Sequence, residues 1–412
     1  MKPSSRIAGI DIARGLAIYL MFQSHTIKGL LFFRDMPDWG VHPMHTITKF
    51  SSSLFVIVFG LTLGVIFAPR TLREDWAHSR NHLWWRSLIV LFWYKVLIVA
   101  QTFQSRPRDV IVDMLLYKKF PDFVEILDFY AWMLLVIPLL LPLWRKVPVW
   151  VGPLFALALF GLGQWLSANW NFFDLPQLKA ILVEDKRNFC FGILTRGPLA
   201  MLGIFLGDLI ARAEDRAVRR RMVAGLCILA GLALLIVFYA SFGDQLDKVF
   251  VDIARNRGKH PPALFFMSFS VGGSLIILGL CLLLPSGGFF LLKPFEILGR
   301  ESLVCFVWHI LAVFIGLRWA LDLKRVNRTP QVTYTQALLL TGLVTVTAIG
   351  VAQLNTWRKR WQAERRREQG TLEALVESPD TEPDARAPRR DALAQPAAVD
   401  EDHDAIIKEL LR

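Results

Sequence analysis

Cysteine is scarce in this chain: four residues in 412, with no C-x-x-C spacing among them. That excludes a disulfide framework and a cysteine-ligated metal site as what holds the fold together. Cys227, Cys281 and Cys305 fall inside apolar runs and Cys190 lies in a polar connection with no second loop cysteine to meet it, so all four read as packing residues. Charge is also in short supply, at 20% of residues against 54% hydrophobic, and the mean hydropathy is +0.41. Soluble domains carry about a quarter charged residues, so an ordinary soluble enzyme is excluded. The sequence contains no G-x-x-x-x-G-K-[ST], G-x-G-x-x-G or H-E-x-x-H. An ATP-driven pump and a zinc protease lose their support with those motifs.

What the chain does have is long apolar runs. FVEILDFYAWMLLVIPLLLPLW and ALLLTGLVTVTAIGVAQL approach the roughly 20 residues that a helix needs to cross about 30 Å of hydrocarbon. Ten such spans are expected, near residues 7–32, 51–68, 83–103, 122–144, 148–166, 193–211, 222–242, 263–285, 295–320 and 334–357. The expected fold is therefore all-α, a polytopic membrane bundle of about ten transmembrane helices. Residues 1–357 would form the membrane domain and 358–412 a charged, disordered tail ending in a short amphipathic DAIIKELLR.

The net charge of +12 needs no nucleic-acid partner, because its main clusters, AVRRR and WRKRWQAERRR, abut spans where membrane lipid headgroups lie. Lysine and arginine are denser on the side that holds both termini. The expectation is a multi-pass protein of the inner, cytoplasmic membrane with both termini in the cytoplasm. Asp11 and Arg14 interrupt what would be the apolar region of a cleavable signal peptide, so the first span is expected to stay in the membrane.

Charge inside a span costs at least about 2.5–3.5 kcal/mol at mid-depth, which makes intramembrane ionisable residues functional candidates. The first span, RIAGIDIARGLAIYLMFQSHT, places Asp11 and Arg14 on adjacent turns, within reach of an ion pair. Eleven residues after Arg14 comes His25; at about 100° per residue the two share a face, about 16 Å apart along the axis. Self-neutralisation of Asp11 by Arg14 and capping by His25 would explain each residue singly, whereas the shared face points to a polar cavity with His25 as a base. The ninth span adds Glu296 and Arg300, an expected structural pair, then Glu301, with Ser302 and His309 on one face. Lys95, Arg86 and Arg196 supply further cations, suited to an anionic ligand or to lipid phosphate. His260, in RNRGKHPPALFF, reads as solvated.

The first span resembles that of the membrane acyltransferase-3 superfamily, whose relatives include the heparan-α-glucosaminide N-acetyltransferase-like proteins and the periplasmic-glucan succinyltransferases. Asp11-x-x-Arg14-Gly15 followed by His25 carries the likeness, together with FSSSLFVIVFGLTLG and LGRESLVCFVWHI. It covers about residues 6–357. The chain departs from the pattern where the third span offers only Arg80 and Arg86 in place of a paired R-x-R, and where Phe59-Gly60 replaces a Ser-Gly. The resemblance implies acyl transfer, acetyl or succinyl, from cytoplasmic acyl-CoA to a hydroxyl or amine of an envelope carbohydrate or glycolipid, with no bound cofactor. His25 would be the base or a transient acyl carrier, and Arg14 would hold the donor. The candidate catalytic set is His25, Arg14 and His309, with Asp11, Arg86, Arg196, Ser302 and Glu301 as candidates for substrate binding. Arg14, His25, Ser302 and His309 are expected to line one interior cavity. A transporter or flippase for an anionic or glycosidic solute is the alternative, without an internal repeat to support it.

Overall fold

The computed structural model describes residues 6–186, 188, 190–285, 290–321 and 332–376, with side chains as far as residue 365. Among the described residues the apolar runs are all helical and no strand forms beyond one isolated bridge. The long helices are α1 (Ala8–Leu30), α2 (Phe50–Ile66) and α3 (Trp76–Thr102), with the short α4 (Arg108–Leu115) in the connection to α5 (Glu125–Lys146). There follow α6 (Val151–Asn169), the short α7 (Pro176–Val183), α8 (Ile193–Ala211), α9 (Arg216–Phe242), the short α10 (Leu246–Ala254) and α11 (Leu264–Leu283). The chain closes with α12 (Lys293–Arg300), α13 (Ser302–Leu311), α14 (Arg318–Ala320) and α15 (Tyr334–Val376).

Nine helical stretches among the described residues are long and apolar enough to cross a membrane. The tenth expected span, α1, is not among them, because Asp11, Arg14, His25 and Lys28 dilute it. It is nonetheless the most enclosed helix: all but Leu16, Tyr19, His25 and Lys28 of its residues are buried. It packs against α2, α11, α12, α13 and α15. Polar residues are tolerated there because protein, not lipid, surrounds them. By contrast α6 and α9 present Leu157, Trp165, Leu229 and Ile236 outward, as lipid-facing helices do. The end of the bundle holding Ala8 is called here the terminal end, and the end holding Leu30 the far end.

Small residues set the tightest contacts. Gly60 and Gly64 of α2 and Gly203 and Gly207 of α8 are paired G-x-x-x-G motifs, each glycine lying against backbone of the facing helix. In a membrane, where no hydrophobic drive pulls helices together, such close approach is a main source of association. Gly299 of α12 lies against the carbonyl of Asp11 and Gly15 of α1 against the carbonyl of Phe295, with no room for a Cβ at either. Gly299→Ala is therefore expected to cost about 1–3 kcal/mol or more through overpacking. A lowered thermal midpoint in detergent checks this; an unchanged midpoint would mean α1 and α12 can part without penalty.

Two expectations change. The ninth span is not one helix: it breaks at Glu301 (φ −105°, ψ 41°), where α12 ends and α13 begins, and passes through a π-helical turn at Ala312–Leu317. The carboxylate of Glu301 fixes the break by accepting from Lys359 Nζ at 2.6 and 2.8 Å and Asn355 Nδ2 at 2.7 Å. The tenth span does not stop at Trp357 either. α15 runs on to Val376, so the beginning of the charged tail is helical, built from the strong helix formers of RKRWQAERRREQ. The rest of the tail, residues 377–412, lies outside the described residues.

Candidate functional site

α1 carries Arg14 and His25 to different depths of the bundle, and two cavities open beside them. At the terminal end, a cavity of about 130 Å³ is lined by Arg14, Thr62, Arg86, Tyr130, Ser302 and Phe306. Toward the far end, one of about 330 Å³ holds His25 with Lys28, Lys49, Asp122, Glu125 and Lys259 in its walls. The expectation of one cavity for Arg14, His25, Ser302 and His309 is thus corrected. Eleven residues of helix are about 16 Å, longer than either space, and the Phe306 ring stands between, 6.5 Å from the His25 ring.

Arg14 is fixed from three sides. Its Nη2 donates to Thr62 Oγ1 at 2.5 Å and its Nη1 to the Gly299 carbonyl at 3.3 Å. Asp11 lies 3.6 Å away and is itself held by Arg6 at 2.6 Å. Asp11 orients Arg14 and lines neither cavity. Arg86 joins Arg14 in the smaller cavity, in the field of Glu301. Together these two guanidiniums give that cavity a cationic wall under an otherwise apolar lining.

His25 Nδ1 and His309 Nε2 are 2.9 Å apart, with the rings stacked at 24° and 5.2 Å between centroids. The residues are 284 positions apart in sequence, and the bundle brings them into direct contact. His309 is fully buried, stacked on Phe22 at 4.6 Å. Its Nδ1 makes no full hydrogen bond, and the carbonyls of Cys305 and Phe306, one turn back on α13, lie on that side. This favours a proton on His309 Nδ1 and an acceptor at Nε2, so that His25 Nδ1–H donates to it. The nitrogen of His25 left to meet a ligand in the larger cavity is then Nε2, with its lone pair.

The far end is closed over by a buried charge network centred on Glu184. Its Oε1 accepts from Arg196 Nε and Thr195 Oγ1, both at 2.8 Å, and its Oε2 meets His260 Nδ1 at 2.7 Å. Arg196 also donates to the Lys259 carbonyl and reaches the Met267 sulfur at 3.0 Å. Lys259 Nζ crosses to Glu125 at 2.7 Å, tying this layer to the start of α5. Burial alone would raise the Glu184 carboxyl, but Arg196 and His260 outweigh it and hold the carboxyl at about 2. Burial pushes the His260 imidazole down, with Glu184 opposing. Asp122, in the loop before α5, is raised by burial and by its neighbour Glu125.

Three sequence expectations are revised here. Arg196 lines neither cavity and its guanidinium is occupied by Glu184, which makes it a structural clamp, not a residue that meets substrate. Glu301 is likewise engaged by α15. His260 is buried against Phe191 and bonded to Glu184, not solvated, because the loop folds down onto an ionised carboxylate. Ser302 and His309 do share α13 but serve different spaces, Ser302 at the terminal cavity and His309 behind His25. Sequence reasoning passed over Lys28, Lys49, Thr62, Tyr130 and Phe306. Of these only Lys28 carried a signal, three residues from His25 on the same helix.

A family profile described as OpgC protein matches residues 98–360. The matched stretch contains Arg196, Glu301, Ser302 and His309 and begins after α1 and α2. No curated protein matches the chain.

Proposed function

The chain belongs to the OpgC protein family, and from that membership we propose that it is a membrane acyltransferase. It moves an acetyl or succinyl group from acyl-CoA on the cytoplasmic, terminal side to a hydroxyl of an envelope carbohydrate or glycolipid on the far side. The observation that carries the reading is the His25–His309 contact at the inner wall of the larger cavity.

In this reading the acyl-CoA enters from the terminal end, its anionic portion held by Arg14 and Arg86 and its acyl group pointing past Phe306. The acceptor occupies the larger cavity. His25 Nε2 takes the proton of the acceptor hydroxyl as the oxygen attacks the thioester carbonyl; the new C–O bond forms, the C–S bond breaks, and the departing thiolate of CoA gains a proton. His309 keeps His25 in the tautomer that leaves Nε2 unprotonated and shares the positive charge that develops on the imidazole. The enclosing aromatic rings of Phe22, Phe123 and Phe306 limit water that would hydrolyse the thioester.

The test is transfer of label from radiolabelled succinyl-CoA and acetyl-CoA to glucan in permeabilised membrane vesicles containing the protein. Label on carbohydrate above that in vesicles lacking the protein is the expected result. No transfer from either donor, with folded protein and both substrates on both sides, overturns the reading.

A further inference from the structure

The His25 cavity holds more cationic groups than its own carboxylates balance. Lys259 is spent on Glu125. What remains in the walls is Lys28, Lys49 and Arg255 against the single carboxylate of Asp122. Arg255 lies over the Phe33 ring at the rim. Lys49 is only 5% exposed, and its Nζ meets a histidine nitrogen, His45 Nε2, at 3.2 Å. The amines of Lys28 and Lys49 are within hydrogen-bonding reach of each other. Among the described residues neither forms an ion pair with a carboxylate. Enclosed amines set side by side without an anion are costly, and chains that keep such an arrangement keep it for a ligand.

Position says which part of a ligand would fall there. Lys28 is three residues beyond His25, about 4.5 Å further along α1 and about 60° round from it. In an extended four-carbon diacid the first carbonyl carbon and the distal carboxyl carbon are about 4 Å apart. A donor arriving from the Arg14 cavity with its acyl group leading, and its thioester carbonyl at His25, would carry a distal carboxylate one turn past that imidazole, at the two amines. We propose that Lys28 and Lys49 form a carboxylate socket that selects a dicarboxylic acyl group over a neutral one. The inference rests on the acyl-transfer reading and names the acyl class of that same site. The same anion chemistry would also accept an acidic substituent on the acceptor, and the test separates the two sources.

Full-length wild type, Lys28→Gln, Lys49→Gln and Lys28→Arg are reconstituted in proteoliposomes, and kcat/KM is compared for succinyl-CoA and acetyl-CoA. A neutral glucan and one bearing acidic substituents serve as acceptors. A charge-assisted contact is worth about 10–100-fold, so the glutamine variants should lose about that much of the succinyl-over-acetyl ratio on either acceptor, and Lys28→Arg should recover part of it. A ratio that holds while the variants fail only on the acidic glucan moves the anion to the acceptor and overturns the donor assignment. A ratio unchanged on both acceptors, with thermal midpoints like that of wild type, overturns the socket. If wild type transfers neither group, the acyl-transfer reading fails, and the socket is judged separately. Succinate should then raise the thermal midpoint of wild type but not of the glutamine variants, with butyrate as the singly charged control. Equal shifts in all of them, or none, overturn it.

Discussion

His25→Ala lowers acyl transfer by about 10²–10⁴-fold in kcat/KM, the range that general-base catalysis supplies. No other side chain in the walls of the larger cavity is so poised. Lys28 and Lys49 have no carboxylate to draw a proton toward, Glu125 is bound to Lys259, and His309 lies behind His25, out of the cavity. The protein should still fold, because His25 borders a space and removing its ring leaves no buried partner stranded except one nitrogen of His309. His309→Ala should cost less, since His25 keeps its lone pair but loses the group that orients it. The double variant should be little worse than His25→Ala alone, as expected where one residue acts through another. Initial rates for the four proteins, normalised to folded protein, decide this. Near-wild-type rates for His25→Ala would remove it from the chemistry, and strictly additive losses would mean that the two imidazoles work independently.

Glu184→Ala destabilises the protein by about 3–5 kcal/mol, the usual consequence of stripping one partner from a buried charge pair. Arg196 would keep its charge with only the Lys259 carbonyl and the Met267 sulfur for company. The pH dependence follows from the same carboxylate. Its pKa is depressed in the folded protein, from an ordinary 4.5 to about 2. The stabilisation is therefore complete above pH 4.5 and is lost as pH falls toward 2, and it amounts to about 3 kcal/mol at neutral pH. His260, pushed below its ordinary value, acts in the same direction: the folded state favours its neutral form, so stability falls as pH drops below about 6.5. Thermal midpoints in detergent from pH 7 to pH 3 should fall more steeply for wild type than for Glu184→Gln. Parallel curves would mean that the network contributes no acid sensitivity.

The membrane bundle was legible because its signal is local: a run of apolar residues of the right length is a helix wherever it packs. The first helix was legible for the opposite reason, since charges at Asp11, Arg14 and His25 make sense only inside protein, and that is where α1 lies. The face shared by Arg14 and His25 follows from helical period alone. What period cannot supply is the contact between helices. His309 was a candidate by its depth in an apolar run, but its direct bond to His25 depends on how α13 leans on α1. That lean depends in turn on a break at Glu301 that no proline or glycine marks at that position. Arg196 and His260 were misread together because Glu184, which binds both, lies in a connection with no motif. Lys28 and Lys49 sit in stretches that look like ordinary span ends, and only folding turns both toward His25.

The two cavities lie on opposite sides of one imidazole pair, which bears on electrical work as well as on chemistry. In the proposed reaction the acceptor gives up its proton on the far side of the His25–His309 contact, and the CoA thiolate takes one up on the terminal side. Each turnover therefore moves one positive charge equivalent from the far face to the terminal face. A carboxylate-bearing acyl group travelling the other way adds a second charge displacement of the same sign. With the termini in the cytoplasm, the direction is that in which a respiring cell's membrane potential drives cations, at about 2.3 kcal/mol per charge for each 100 mV. Acyl-group export by this fold would then draw on the membrane potential as well as on the thioester, without any separate ion-binding site.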